Sequence, residues 1–159
     1  VETFCAKETF ALGETIGKSA QPGEVITLIG DLGVGKTVFT QGVASGLGIS
    51  EAVSSPTFTI LQVYEEGRLP FYHFDVYRIG DIEEMEEIGY EDCFYGNGLC
   101  IIEWADVIAE LLPKRVTRIT IEKEPDKGFE YRRITIAGGK DSWQESFGKR
   151  KISDEDFSN

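Results

Sequence analysis

Eight residues constrain this chain more than any others: Gly30-Asp31-Leu32-Gly33-Val34-Gly35-Lys36-Thr37. They have the form G-x-x-x-x-G-K-[ST], in which glycines let the backbone curl until several N–H groups point into one hollow. Such a hollow takes phosphate, helped by the positive end of the helix that follows. On this reading Leu32, Gly33, Val34, Gly35, Lys36, Thr37 and Val38 hold a nucleotide. Lys36 reaches the β- and γ-phosphates, and Thr37 gives its hydroxyl to Mg²⁺. The flanks agree. Residues 24–29, EVITLI, form a short apolar run fit for a buried parallel strand, and they lead straight into the loop. Behind it, Val38, Phe39, Val43 and Leu47 recur at helical spacing, and Gly48 stands where a helix would stop.

The other segments predict an α/β fold around that unit. Residues 2–7 read as a short edge strand and 9–20 as a helix with Phe10, Leu12 and Ile16 inward. Residues 50–56 are a proline-punctuated loop. Residues 57–64 and 69–77 are two β-rich runs whose glycine-bearing connection at 65–68 signals a hairpin. Asp81 is placed to cap a short helix through Ile88, with Glu83, Glu84, Glu86 and Glu87 as a solvated face. Residues 99–102 form another buried strand, 105–112 a helix stopped by Pro113, and 116–121 and 131–137 two late strands. The expected fold is a three-layer P-loop NTPase-like domain over residues 1–139, with a mixed, mainly parallel sheet and antiparallel additions. Residues 140–159 are expected to be a polar, partly disordered tail.

Composition narrows the partners. The net charge of −12 over 159 residues speaks against unaided nucleic-acid binding, which rests on phosphate neutralisation by Lys and Arg. No apolar run approaches the roughly 20 residues of a membrane helix, so no membrane partner is expected. Three cysteines without metal-ligand spacing suit reduced thiols in the cytoplasm. No secretory pattern opens the chain, and Val1 stands first where a methionine is usual, so one residue or more is expected to have been removed.

Three further stretches offer chemistry. Leu99-Cys100-Ile101-Ile102-Glu103 is a buried strand ending in an acid. In a P-loop enzyme that position serves Mg²⁺, through water, or orients the attacking water. The alternative is an ordinary surface acid. In His73-Phe74-Asp75-Val76-Tyr77-Arg78, strand alternation puts His73, Asp75 and Tyr77 on one face. There Asp75 would accept from metal-bound or nucleophilic water, with His73 orienting it. The alternative is a His–Asp pair that only fixes the sheet. Ser54-Ser55-Pro56-Thr57 lies one helix after the phosphate loop, where Thr57 would sense the γ-phosphate or would merely begin a strand. Trp104 either shields the site or packs under the sheet.

With these residues together, the chain resembles the TsaE (YjeE) ATPases of tRNA threonylcarbamoyladenosine biosynthesis. The matching pieces are the phosphate loop, Ser55-Pro56-Thr57-Phe58, Tyr72-His73-Phe74-Asp75-Val76-Tyr77-Arg78 and Ile102-Glu103-Trp104. They span roughly residues 9–116. The resemblance implies ATP and Mg²⁺ as cofactors and slow hydrolysis. It implies partnership with the TsaD and TsaB proteins, with tRNA held only indirectly. It also implies that Thr37 and Glu103 serve the metal and that Asp75, Glu103 and Trp104 matter for turnover, with Thr57, His73, Tyr77 and Arg78 in switch or supporting places. The residues themselves agree in lacking an Asn-Lys-x-Asp run for guanine. Two other functions stay open: a small-molecule P-loop kinase and a non-catalytic nucleotide-sensing module. Against the kinase, the arginines after Glu103 (Arg115, Arg118, Arg132, Arg133) fall in or beside predicted strands rather than in a lid.

Overall fold

In the computed structural model, which describes residues 1–31, 33–54 and 59–138, the strand-forming runs assemble into one mixed sheet. In chain order the elements are β1 (Glu2–Thr3), α1 (Ala6–Ser19), β2 (Val25–Ile29), α2 (Lys36–Gly46), β3 (Leu61–Tyr64) and β4 (Phe71–Asp75). They continue with α3 (Glu83–Glu87), α4 (Tyr90–Phe94), β5 (Leu99–Glu103), a 3-10 helix (Ala105–Leu111), β6 (Thr117–Lys123), a short 3-10 turn (Pro125–Lys127) and β7 (Arg132–Gly138). The strand order is β1-β7-β6-β2-β5-β4-β3. β6, β2, β5 and β4 run parallel, while β3 at one edge and β7 and β1 at the other add antiparallel. This is the expected α/β architecture, with the hairpin at β3–β4.

Both faces of the sheet are covered, so apolar residues of the central strands are buried whichever way they point. On one face Leu12, Ile16, Phe39 and Val43 of α1 and α2 pack on Leu28, Ile101 and Ile119. On the other, Met85, Phe94 and Ile108 pack on Phe74, Cys100 and Ile102. The consequence for function is positional. β2, β5 and β4 all deliver their carboxyl ends to the same edge, where ligands bind in open α/β sheets.

α1 and α2 meet through glycine. A Cβ on Gly13 would lie 2.4 Å from the Phe39 carbonyl oxygen, and one on Gly17 would lie 2.2 Å from that of Val43. The contact is reciprocal: a Cβ on Gly42 would lie 2.2 Å from the Phe10 oxygen, and one on Gly46 would lie 2.3 Å from that of Glu14. Two glycines four apart on each helix share a face, and without side chains there the two backbones touch.

Local differences from expectation have local causes. β1 is only two residues because the chain turns into α1 at Ala6. Glu8 accepts the Phe4 N–H at 2.9 Å, and the Thr3 and Thr9 hydroxyls pair at 2.7 Å, both of which fix that turn. Asp81 accepts the Glu83 N–H at 3.2 Å but is not the cap expected: α3 starts at Glu83, its cap position is Ile82, and no side chain among the described residues caps it. Beyond it Gly89, at φ +72°, lets the chain start an additional helix, α4. The helix expected at 105–112 is a 3-10 helix kinked at Ile108. Expected strand residues 57–58 and the tail from residue 139 lie outside the described residues.

Candidate active site

The site begins where β2 runs out. Gly33 and Gly35 follow at φ +77° and +110°, a region open to glycine at little cost. The curl they allow brings the chain directly into α2, whose first residue is Lys36 and second Thr37. The first N–H groups of a helix have no acceptor within it, and they carry the positive end of its dipole. Leu32, the remaining loop residue in the predicted set, lies outside the described residues. Val34 is buried against Gly30, and its carbonyl accepts from Arg132 Nε at 2.6 Å. Val38 sits in the first turn of α2.

Glu103 ends β5, beside β2, and is only 4% exposed. That rules out an ordinary surface acid. Its two oxygens have different partners. Oε1 lies 3.5 Å from Lys36 Nζ, and Oε2 lies 2.8 Å from His73 Nε2. Burial pushes its carboxyl pKa upward, but His73 and Lys36 more than offset that and hold it below the usual carboxylate value. The carboxylate is therefore charged at neutral pH.

Parallel pairing of β4 with β5 sets Asp75 directly beside Glu103. Asp75 is half-buried, and its Oδ1 accepts the Tyr77 N–H at 3.1 Å. His73 belongs to Glu103, so the expectation that it orients Asp75 is corrected. Strand β4 ends at Asp75, so Tyr77 lies beyond it. On the strand face it shares with Asp75, His73 is 1% exposed and stacked on Phe71. The pairing of Glu103 with His73 was missed from sequence, because it depends on β4 and β5 lying side by side in parallel. The Arg132–Val34 bond spans 98 positions and left no local signal at all.

Trp104 takes a left-handed backbone, φ 63°. This reversal throws its ring back over the loop, where Lys36 Nζ lies 5.2 Å from the ring centroid. Tyr77 packs on the same ring at 4.8 Å. Trp104 is 41% exposed, so it roofs Lys36 rather than packing under the sheet. Arg78 is exposed just beyond. Gln41 of α2 donates to the Val53 carbonyl at 3.0 Å, tying the following loop to the helix. Ser55, Pro56, Thr57 and Phe58 of that loop lie outside the described residues. An adjoining cleft of about 930 Å³ opens between the loop and the 3-10 helix, lined by Lys36, Trp104, Asp106, Arg118 and Thr120 among others.

Oxygen donors from one carboxylate and one hydroxyl suit Mg²⁺, which keeps most of its ligands as water and phosphate. No cluster of three or more His, Cys, Asp or Glu side chains among the described residues could hold a metal by itself. No helix among them is long and apolar enough to cross a membrane.

Comparison with known proteins converges on one family. The family model described as Threonylcarbamoyl adenosine biosynthesis protein TsaE matches residues 4–134. The chain is 49% identical over 124 residues to the tRNA threonylcarbamoyladenosine biosynthesis protein TsaE of Bacillus subtilis, covering 78% of this chain and 77% of that one. It is 43% identical over 132 residues to the protein of the same name in Treponema pallidum, covering 83% and 95%. The crystal structure of Bacillus subtilis YdiB matches with a TM-score of 0.77 at 38% identity, over 94% of this chain and 90% of that chain.

Proposed function

Because the chain belongs to the TsaE family of tRNA threonylcarbamoyladenosine biosynthesis, we propose that it binds Mg·ATP at the glycine-rich loop and hydrolyses it slowly, at a rate raised by the TsaD and TsaB proteins. The observation that carries this reading is the chain of contacts Lys36–Glu103–His73 at the carboxyl edge of β2, β5 and β4. It sets a cation directly beside a fixed, charged carboxylate at the edge where a γ-phosphate would lie.

Each residue then has a task. Lys36 leaves Glu103 for the β- and γ-phosphates, exchanging one anion for a stronger one. Leu32 to Val38 wrap the phosphates, and Thr37 and Glu103 hold Mg²⁺, which when bound would neutralise charge on the phosphates. Glu103 and Asp75, side by side, accept from the attacking water. Water adds to the γ-phosphorus as the bond to ADP breaks, and the proton passes to a carboxylate and on to solvent. Trp104 and Tyr77 limit water entry above Lys36. Arg78, exposed beyond β4, is a place for a nucleotide-dependent partner contact, and Thr57 is the switch residue. A cation brought to the γ-phosphate by a partner would accelerate this step, by about 10³–10⁵ where an arginine finger does so. With net charge −12, tRNA is met through the partners rather than by this chain, as expected of cytoplasmic tRNA modification.

The experiment is phosphate release by the pure chain with ATP and Mg²⁺, while TsaD–TsaB is titrated in. A low basal rate that climbs on addition is expected. A rate indifferent to the partners overturns the proposal. The cleft beside Lys36 favours a second reading, a small-molecule phosphotransferase. Phosphate release with no acceptor present argues against it.

A further inference from the structure

We propose that His73 is a positioning residue: its Nε2–H holds Glu103 Oε2, so that Oε1 alone faces Lys36 and the reaction. This deepens the ATPase reading and rests on it. Glu103 has two equivalent oxygens and, on an open surface, would present either. Here they are made inequivalent. Oε2 is held at 2.8 Å by an imidazole that is 1% exposed and clamped on Phe71 at an interplanar angle of 6°. Among the described residues, Oε1 meets the longer contact to Lys36, at 3.5 Å.

The other imidazole nitrogen supports the direction of the bond. Nδ1 is buried and has no hydrogen-bond partner among the described residues. A proton placed there would have no acceptor, and Nε2 would then turn a lone pair toward a carboxylate. The proton therefore belongs on Nε2. The role becomes specific when nucleotide arrives. Lys36 departs to the phosphates, and Glu103 loses one of its two contacts. His73 is what then keeps the carboxylate from following Lys36 toward the phosphates or swinging off the metal side. A carboxylate fixed in advance acts without reorganisation in the transition state, so the bond should appear in kcat more than in ATP affinity.

His73 is the only histidine in the chain, so the unaltered protein can be tested directly. A long-range ¹H–¹⁵N correlation spectrum of the ring is expected to show Nε2 protonated. An unprotonated Nε2 overturns the proposal, whatever the ATPase rate. Two variants then separate positioning from packing. In His73→Gln the amide nitrogen falls near the place of Nε2, whereas in His73→Asn the side chain is too short to reach Glu103. His73→Asn is expected to lower kcat at least tenfold with KM for ATP within about threefold, and to weaken the Mg²⁺-dependent part of calorimetric ADP affinity. His73→Gln should recover most of both. Equal loss in the two variants, or none in either, overturns the positioning role. A wild-type chain with no ATPase at all, yet with Nε2 protonated and Mg²⁺–ADP affinity split between the variants, would sink the ATPase reading and leave this one standing.

Discussion

Lys36 and Glu103 compete as well as cooperate. They neutralise each other at 3.5 Å, with side chains only 11% and 6% exposed. On the proposed function, nucleotide binding would break that contact. Removing the acid's charge should therefore leave Lys36 readier for phosphate. Glu103→Gln is expected to bind ATP without metal as tightly as the parent or up to about tenfold tighter, an effect of about 1.4 kcal/mol. Its hydrolysis should fall about 10²-fold or more if the group acts as base. Lys36→Ala should do the opposite and weaken ATP binding, by about 1.5–3 kcal/mol for a lost charge-assisted contact. Calorimetry on both variants with and without Mg²⁺ checks the pair of signs. Weaker metal-free binding by Glu103→Gln would show that the contact does not compete.

At the scale of elements, the close approach of α1 and α2 reverses a familiar sign. Alanine in place of glycine inside a helix usually helps, by about 1 kcal/mol. At Gly42 the added methyl would press on the Phe10 carbonyl of α1 from 2.2 Å, and neither partner is a flexible side chain. Overpacking of this kind costs about 1–3 kcal/mol, and the obstacle here is backbone. Gly42→Ala is expected to lose about 1–2 kcal/mol of urea stability, the overpacking cost less the helix gain. It should also weaken ATP binding, because α2 carries Lys36 and Thr37. Loss of stability with affinity intact would show that α1 can retreat without moving α2. Much at this scale was legible in sequence. The strand, glycine-rich loop and helix at 24–47 are a local pattern written in adjacent residues. So were the hairpin and the buried strand ending at Glu103. The contacts that complete the site were not. His73 with Glu103, Tyr77 with Trp104 and Arg132 with Val34 depend on strand order and on one left-handed residue, and neither shows in composition or spacing. Gly13, Gly17, Gly42 and Gly46 were in plain view at intervals of four. Their meaning needed the knowledge that α1 and α2 are neighbours.

At the scale of the whole molecule, the cysteines report how firmly the layers close. Burial pushes the Cys93 and Cys100 thiols upward, the second far out of the physiological range. A thiol must ionise to react, so both should stay inert in the folded chain. Cys5, half-buried at the start of α1, is the accessible one. An aromatic disulfide reagent is expected to titrate one thiol promptly and the other two only as fast as the molecule unfolds. ATP with Mg²⁺ should slow that second phase, since a ligand of the folded state alone lowers the open population. Three thiols reacting together would mean that the layer over β4 and β5 opens locally.

The glycine contact between α1 and α2 also bears on how genetic data for this chain will look. In a saturation scan scored by growth, Gly13, Gly17, Gly42 and Gly46 should be as intolerant as Gly35, although only Gly35 belongs to the glycine-rich loop. Intolerance read as nearness to nucleotide would then draw the site's boundary along the length of α1. Scoring cellular abundance beside growth separates the two groups. Substitutions at the helix contact should deplete the protein itself, whereas those at Gly35 should leave it abundant and idle.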